Sequence, residues 1–546
     1  MKTPNTGLVP NHVAAAAAKL SAGACVCLVV GAAQAFPIDV ENTDIKIRWD
    51  NTIKYSNAFR LSKRSDTIMA DARTDDGDQN FSKGLISDRI DLLSEFDVSY
   101  KDYGVRFSGA AWYDEVYNRT NDNHSPATSN NISVPYNQFT HATRDRMGRD
   151  AELLDAFVFA KGTIGDMAGT LRFGRHALVF GESLFFGSNG IANAQGPIDL
   201  VKLLNVPSTE FKEVLRPVEQ VSGQLQITSQ LSMQAYYQLK WEKTILPPAG
   251  SYLSTSDVGG EGAESLGPFL RQADIRPKNS GQGGLQLRYR VASWDTDFGV
   301  FAARYHDKTP NFYLTLDPTN AFAPSGLVDA YAEGIKTYGM SFSTNASSLN
   351  IAGEASVRDN APLVSDPQVV VAGAADNHDK PAYAVGKTAH AQISTVYLMQ
   401  SSPLWQGGAF LAEVAWNRRM SISKNPEAMD PNTTRDALAF RVVLSPSYYQ
   451  VFPGLDINVP IGLGYNPMGK SSAIFAFNGG VWHGGDFSIG LTGEYEQVWQ
   501  FGLNSVFYLG HKNSFLTPPN SSAPYLSYGQ ALGDRNFLSF NIKRTF

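Results

Sequence analysis

Residues 231–242 read L-S-M-Q-A-Y-Y-Q-L-K-W-E. Leu231, Met233, Ala235, Tyr237, Leu239 and Trp241 fall on one face, and Ser232, Gln234, Tyr236, Gln238, Lys240 and Glu242 on the other. A period of two is that of an extended strand, whose successive side chains point to opposite sides, so the two faces meet different surroundings. The pattern recurs. In 89–100, Ile90, Leu92, Phe96, Val98 and Tyr100 oppose Arg89, Asp91, Glu95, Asp97 and Ser99. In 105–114, Val105, Phe107, Ala111 and Tyr113 oppose Arg106, Ser108, Trp112 and Asp114. Residues 285–291 and 487–495 alternate in the same way.

A soluble β-sandwich also alternates. Three features point instead to an all-β, transmembrane antiparallel β-barrel. The strands run about ten residues, longer than the five or six or so of a soluble sheet. Tyr and Trp gather near strand ends, as in an interfacial girdle. Connections alternate in length. Those near 101–104, 161–166, 228–230, 292–295, 344–348, 401–407, 450–454 and 495–498 are short. The stretches 62–86, 116–150, 187–218, 246–281, 307–333, 359–385, 421–434, 467–486 and 511–535 are mostly long and rich in Asn, Asp, Ser, Gly and Pro. Short periplasmic turns and long extracellular loops are the outer-membrane arrangement. Eight turns and nine loops imply eighteen strands, with sixteen the next candidate and 473–482 a conceivable extra strand.

Composition agrees. The 546 residues are 18% charged, 11% aromatic and 43% hydrophobic, yet mean hydropathy is only −0.22, so apolar residues are interspersed with polar ones. Only the N-terminus approaches the roughly 20 apolar residues a spanning helix needs. There Lys2 and Lys19, the apolar run Leu20–Val30 and Ala33-Gln34-Ala35 before Phe36 read as a cleaved signal peptide over 1–35, leaving 36–546 as the barrel. Cys25 and Cys27 lie within it, so the mature chain has no disulfide, and a closed barrel supplies stability by pairing every strand edge. Loss of Lys2 and Lys19 moves the net charge from −6 to −8, which gives no hint of a nucleic-acid partner.

At the other end Leu538, Phe540, Ile542 and Phe546 share a face, with Arg544 the exception, and Ser539, Asn541, Lys543 and Thr545 share the other. A terminal Phe after such alternation resembles the signal read by the barrel-assembly machinery, an expected partner alongside outer-membrane lipid.

Residues 171–186, L-R-F-G-R-H-A-L-V-F-G-E-S-L-F-F, are followed by G-I-A-N-A-Q-G-P-I-D-L at 190–200 and P-S-T-E-F-K-E-V-L-R-P at 207–217. With E-L-L-D-A-F-V at 152–158, W-D-N-T at 49–52 and A-W-Y-D at 111–114, these resemble the proteobacterial outer-membrane family of domain of unknown function 1302. His176 and Phe180 stand where that family often has Gln and Trp. The resemblance implies passage of hydrophobic or amphipathic small molecules of lipid, steroid or aromatic type. It also implies a periplasmic lipid-binding partner and an inner-membrane transporter. An alternative is an outer-membrane component of an export or envelope-lipid transfer system, and a barrel-embedded hydrolase stands behind both.

Pore-lining candidates follow from the polar faces. Arg48, Asp50, Arg89, Asp91, Glu95, Asp97 and Arg106 point inward, with Lys46 and Lys54. Rings of such charge set selectivity in a pore, whereas paired charges brace a wall, and both readings stand. The 187–218 stretch is too apolar for an exposed loop. Ile198, Val201 and Leu204 have helical spacing, Asp199 and Leu200 lie among them, and Ser208 after Pro207 is placed to cap a second short helix carrying Phe211 and Leu215. The expectation is a loop folded inward as a plug or constriction, against a lid on the rim. Arg172, Arg175 and Glu182 adjoin it and are placed to anchor it through Asp199, Glu210 or Glu213. No metal or cofactor motif is present: there is no His-x-x-x-His, Gly-x-Ser-x-Gly elbow or P-loop. A Ser–His or Asp–His pair across strands is the remaining route to catalysis: His390 shares a face with Gln392 and Ser394, and ordinary lumen lining is the alternative reading of that face.

Overall fold

The computed structural model describes residues 36–38, 44–205, 215–320, 323–521 and 524–546. The expected signal peptide lies outside them. No helix among the described residues is long and apolar enough to cross a membrane.

Eighteen antiparallel strands close into one barrel. They are β1 Ile45–Arg60, β2 Gly84–Tyr100, β3 Tyr103–Asp114, β4 Arg149–Ile164, β5 Met167–His176 and β6 Val218–Gln226. Next come β7 Leu231–Gln238, β8 Gln282–Val291, β9 Thr296–Tyr305, β10 Ile335–Ala346, β11 Leu349–Pro362 and β12 Val385–Leu398. The last six are β13 Gly407–Lys424, β14 Asp436–Phe452, β15 Leu455–Asn458 resuming as Ile461–Met468, β16 Gly485–Tyr495, β17 Trp499–Leu509 and β18 Phe537–Thr545. The break in β15 falls at Val459-Pro460, where proline has no N–H to give the ladder. Each strand pairs with its neighbour in sequence, and β18 pairs with β1 from Phe537↔Arg60 to Thr545↔Thr52. Phe546 adds two further backbone bonds to Asn51, at 2.7 and 2.9 Å. Closure leaves no strand edge unpaired, a condition any sheet must meet in hydrocarbon.

Burial is inverted relative to a soluble protein. On β1, Asp50, Thr52, Lys54, Ser56 and Arg60 are buried, whereas Trp49, Ile53, Tyr55 and Phe59 are exposed. On β2 and β3, Ile90, Leu92, Phe107 and Tyr113 face out, while Arg89, Glu95, Ser108, Trp112 and Asp114 face in. An apolar exterior around a polar interior is the surface a bilayer selects. Arg544, which broke the terminal apolar face, lies with its guanidinium over the rings of Trp499 (5.1 Å) and Phe546 (5.4 Å). Its charge is thus seated in an aromatic cluster at the strand end.

The long loops all lie at one end. The first and ninth meet over the seam, where the fully buried Arg60 contacts Asp78 (2.7 Å) and Asp534 (3.1 Å), and Arg535 contacts Asp78 (3.1 Å). Loops after β7, β9 and β11 build a second, five-stranded sheet from Ser265–Leu266, Phe269–Arg271, Asn311–Leu316, Pro324–Ala330 and Gln368–Val371.

Three expectations change. The alternation of 231–242 outlasts its strand: β7 ends at Gln238, and Trp241 leaves the wall to pack under the loops against Tyr331, ring centroids 4.8 Å apart. Residues 473–482 form no strand, only a short 3-10 turn at Phe477–Gly479. Helical spacing from Ile198 to Leu204 is realised only from Leu200, in the helix Leu200–Asn205; Ile198 instead bridges to Leu215, and Leu204 is exposed.

Candidate functional site: the segment that crosses the lumen

β5 ends at His176 and the chain rejoins the wall at Val218. Between them, residues 178–195 reach the inner faces of β11, β12 and β13, six to eight places further round the eighteen-stranded wall. Their wall partners, Glu354, Gln392 and Glu413, sit in the middle of those strands, at neighbouring register positions.

Two carboxylates hold the segment. Glu354 of β11 accepts from the amides of Glu182 (2.7 Å) and Ile191 (3.0 Å) and from the Ser183 hydroxyl (3.0 Å). Glu413 of β13 accepts from three successive amides, Leu184 (3.1 Å), Phe185 (2.5 Å) and Phe186 (2.9 Å). Successive N–H groups form a concave anion site, here filled by the wall itself. Between the two carboxylates, the Gln392 amide donates to Ser183 Oγ (2.6 Å) and accepts from the Asn189 amide (3.1 Å). Arg358 donates to the carbonyls of Ser188, Asn189 and Gly190 at 2.8, 3.0 and 3.0 Å. At Gly181, with φ of 89°, and at Gly190, a β-carbon would strike the Glu354 carboxylate, so the close approach needs glycine at both.

Apolar contacts complete the seat. Leu178, Phe180 and Ile191 pack on Tyr236 of β7 and Phe301 of β9. Leu184 and Phe185 lie against Val396, Ala409 and Leu411, and Phe186 against Ala415, Ala437, Ala439 and Phe477. At the far end Lys308, in the loop after β9, donates to the carbonyls of Asn193 (3.3 Å) and Ala194 (3.5 Å). Burial pulls its ammonium down to about 8. His390 is buried between the Thr388 hydroxyl (2.8 Å) and Asn189 (3.2 Å).

The residues singled out from sequence divide into three groups. The charges of β1–β3 are brought together as pairs: Arg48–Asp50 (2.6 Å), Arg89–Asp91 (2.8 Å), and Arg106 with Glu95 (2.7 Å), Asp97 (3.0 Å) and Asp155 of β4 (3.3 Å). Arg89 also lies over the Trp112 ring (5.0 Å), and Arg172 over Phe157 (5.9 Å). Arg175 contacts Glu242 at 2.6 Å, which Arg216 shares at 3.4 Å, and Glu182 pairs with Arg288 of β8. The third group lies toward the loop end. The backbone of Ile198, Asp199 and Leu200 bonds or bridges to Ile245, and Val201 is buried with Tyr117, Phe139 and Tyr252. Glu210, Glu213, Ser208 and Phe211 lie outside the described residues.

Glu354, Glu413, Arg358 and Asn189 carry no signal of this role in the sequence, and Gln392 is placed there only as a face neighbour of His390. One signal was available: on β13 the inward positions Ala409, Leu411 and Ala415 are as apolar as the outward ones. A stretch whose inner face is apolar but for one carboxylate, inside a polar-lumen barrel, has something lying on that face.

A family model described as "Protein of unknown function (DUF1302)" matches residues 16–546. No curated protein matches the chain. Solved structures similar to it include OpdK of Pseudomonas aeruginosa with vanillate, at 10% identity and TM-score 0.41, covering 92% of this chain and 98% of that one. OccAB3 of Acinetobacter baumannii is similar at 9% identity and TM-score 0.44, covering 92% and 99%. The outer-membrane channel DcaP of the same organism follows at 8% identity and TM-score 0.37, covering 92% and 97%.

Proposed function

The chain belongs to the DUF1302 family, and we propose that it is an outer-membrane transport channel that takes up amphipathic or hydrophobic small molecules, with residues 178–195 forming its constriction. An eighteen-stranded barrel encloses more space than its own side chains fill, so an element laid across its interior governs what passes. The observation that carries the reading is the two-sided lumen. The β1–β4 side presents Arg48, Asp97, Arg106 and Asp155, paired yet still partly accessible. The far side is covered by the crossing segment, whose Val179 is exposed and whose Leu184 and Phe185 are only partly buried, while Leu178, Phe180 and Ile191 pack into the wall. A solute with a charged head and an apolar body meets a matching surface on each side, whereas a purely apolar pore would strand the head and a purely charged one the body.

The test is initial uptake of radiolabelled cholate, oleate and benzoate by cells lacking the gene and by the complemented strain. Slower entry of at least one compound in the deletion strain is expected. Unchanged entry of all three, or cellular retention of a labelled product, overturns the uptake reading, the latter in favour of export.

A further inference from the structure

Away from the lumen, three aspartates from two loops converge under the long-loop end. Asp75 and Asp76 belong to the β1–β2 loop and Asp257 to the β7–β8 loop. One carboxylate oxygen from each lies within 4.8 Å of the others. All three residues are buried, Asp257 with no exposure at all. A third loop, between β3 and β4, holds the group from the side. The Asn130 amide donates to Asp76 Oδ2 (2.8 Å) and to the Asp257 carbonyl (3.1 Å), and the Thr128 hydroxyl bonds to Asp76 Oδ1. The Asp76 amide donates to Asp257 Oδ2 (3.0 Å), and Gln79 to Asp75 Oδ2 (3.2 Å).

A second observation concerns charge and valence together. Asp257 Oδ1 is buried with no hydrogen-bond partner among the described residues. No Lys or Arg forms an ion pair with any of the three aspartates among those residues, and the neighbouring Arg60 and Arg535 are paired with Asp78 and Asp534. Clustered buried carboxylates stay ionised only beside a cation; without one, burial and mutual repulsion favour their protonated forms. The orphan oxygen marks where a positive ligand belongs.

We propose that Asp75, Asp76 and Asp257 bind one calcium-type divalent cation that fastens the three loops together. Hard oxygen donors suit calcium, and two donors to one calcium at about 2.4 Å lie no more than about 4.8 Å apart. The set offers no sulfur or imidazole, which argues against zinc. Magnesium, which demands a tight octahedron and keeps its waters, binds more weakly. The site lies at the end of the barrel opposite the short turns and does not depend on what the lumen carries.

Calorimetric titration of the purified full-length barrel with CaCl2, after dialysis against EDTA, tests it. One ion per barrel is expected, with a Kd on the order of 0.1–1 mM, the range of extracellular calcium modules. Asp257→Asn and Asp76→Asn should each weaken binding by at least about tenfold, because affinity follows ligand charge. Absence of saturable binding up to about 10 mM, or unchanged binding in both variants, overturns the proposal. Should either variant fail to show the heat-dependent gel shift of a folded barrel, limited proteolysis of the wild type decides. Calcium is expected to slow cleavage within 61–83, 115–148 and 239–281. Equal cleavage with calcium and with EDTA overturns the site.

Discussion

Removing residues 181–194 and joining Phe180 to Gln195 through two glycines raises the single-channel conductance of the reconstituted barrel by at least about threefold, since eighteen-stranded barrels leave an aqueous lumen unless it is filled. The two ends are already neighbours, the Phe180 amide donating to Gln195 Oε1 at 3.3 Å. A short bridge therefore leaves β5 and β6 in place. The wall itself depends on strand-to-strand ladders that the deletion does not touch. The deletion also removes the apolar lining opposite the charged wall, so discrimination among solutes should fall as conductance rises. Planar-bilayer recordings check the first effect, and liposome swelling with solutes of graded size the second. An unchanged conductance would place the narrowest point elsewhere.

Glu413→Ala is the second large effect. It strips three successive amides, those of the half-buried Leu184 and Phe185 and the buried Phe186, of their acceptor. Each unsatisfied buried donor costs about 1–3 kcal/mol, so a stability loss of roughly 3 kcal/mol or more is expected, concentrated in the crossing segment. The barrel should stay closed while the segment detaches from β13. Bilayer recordings should then show frequent flicker and a higher mean conductance, and denaturant unfolding an earlier transition. Glu413→Gln keeps one carbonyl oxygen as acceptor and should fall between the two. Wild-type traces from Glu413→Ala would mean that the seat is not held there.

The barrel is readable in the sequence because its two solvents, lipid and lumen, impose a strict period of two, and because export from one side sorts short turns from long loops. Strand number, seam and inversion all follow from that pattern. The alternation misleads only where a strand leaves the wall. Leu239 and Trp241 continue the rhythm beyond Gln238 although Trp241 packs under loops. The crossing segment is harder to see. The G-E-S-L-F-F run at 181–186 stands out in the family block, but its wall carboxylates lie 171 to 229 positions away. Glu354 and Glu413 occupy ordinary inward positions, and nothing in their spacing distinguishes a carboxylate that caps backbone amides from one that pairs with arginine. The apolar residues Ile198–Leu204 belong to the same loop. In the structure the segment that reaches the far wall lies upstream of them, and Val201 instead packs with the outer loops. The aspartate cluster is equally silent in sequence, since Asp76 and Asp257 are brought together only by loop packing 181 positions apart.

The central claim, that the 178–195 segment lies across the lumen against β12, is tested most directly by cross-linking. Ser183 and Gln392 meet at 2.6 Å through their side chains. In the Ser183→Cys/Gln392→Cys double variant, inserted in native outer membranes, a short bifunctional thiol reagent should join the two positions within one chain, and the linked peptides should appear by mass spectrometry. Neither single variant should give the product. Efficient modification of both cysteines by a monofunctional maleimide, with no intramolecular link from the bifunctional reagent, would contradict the crossing.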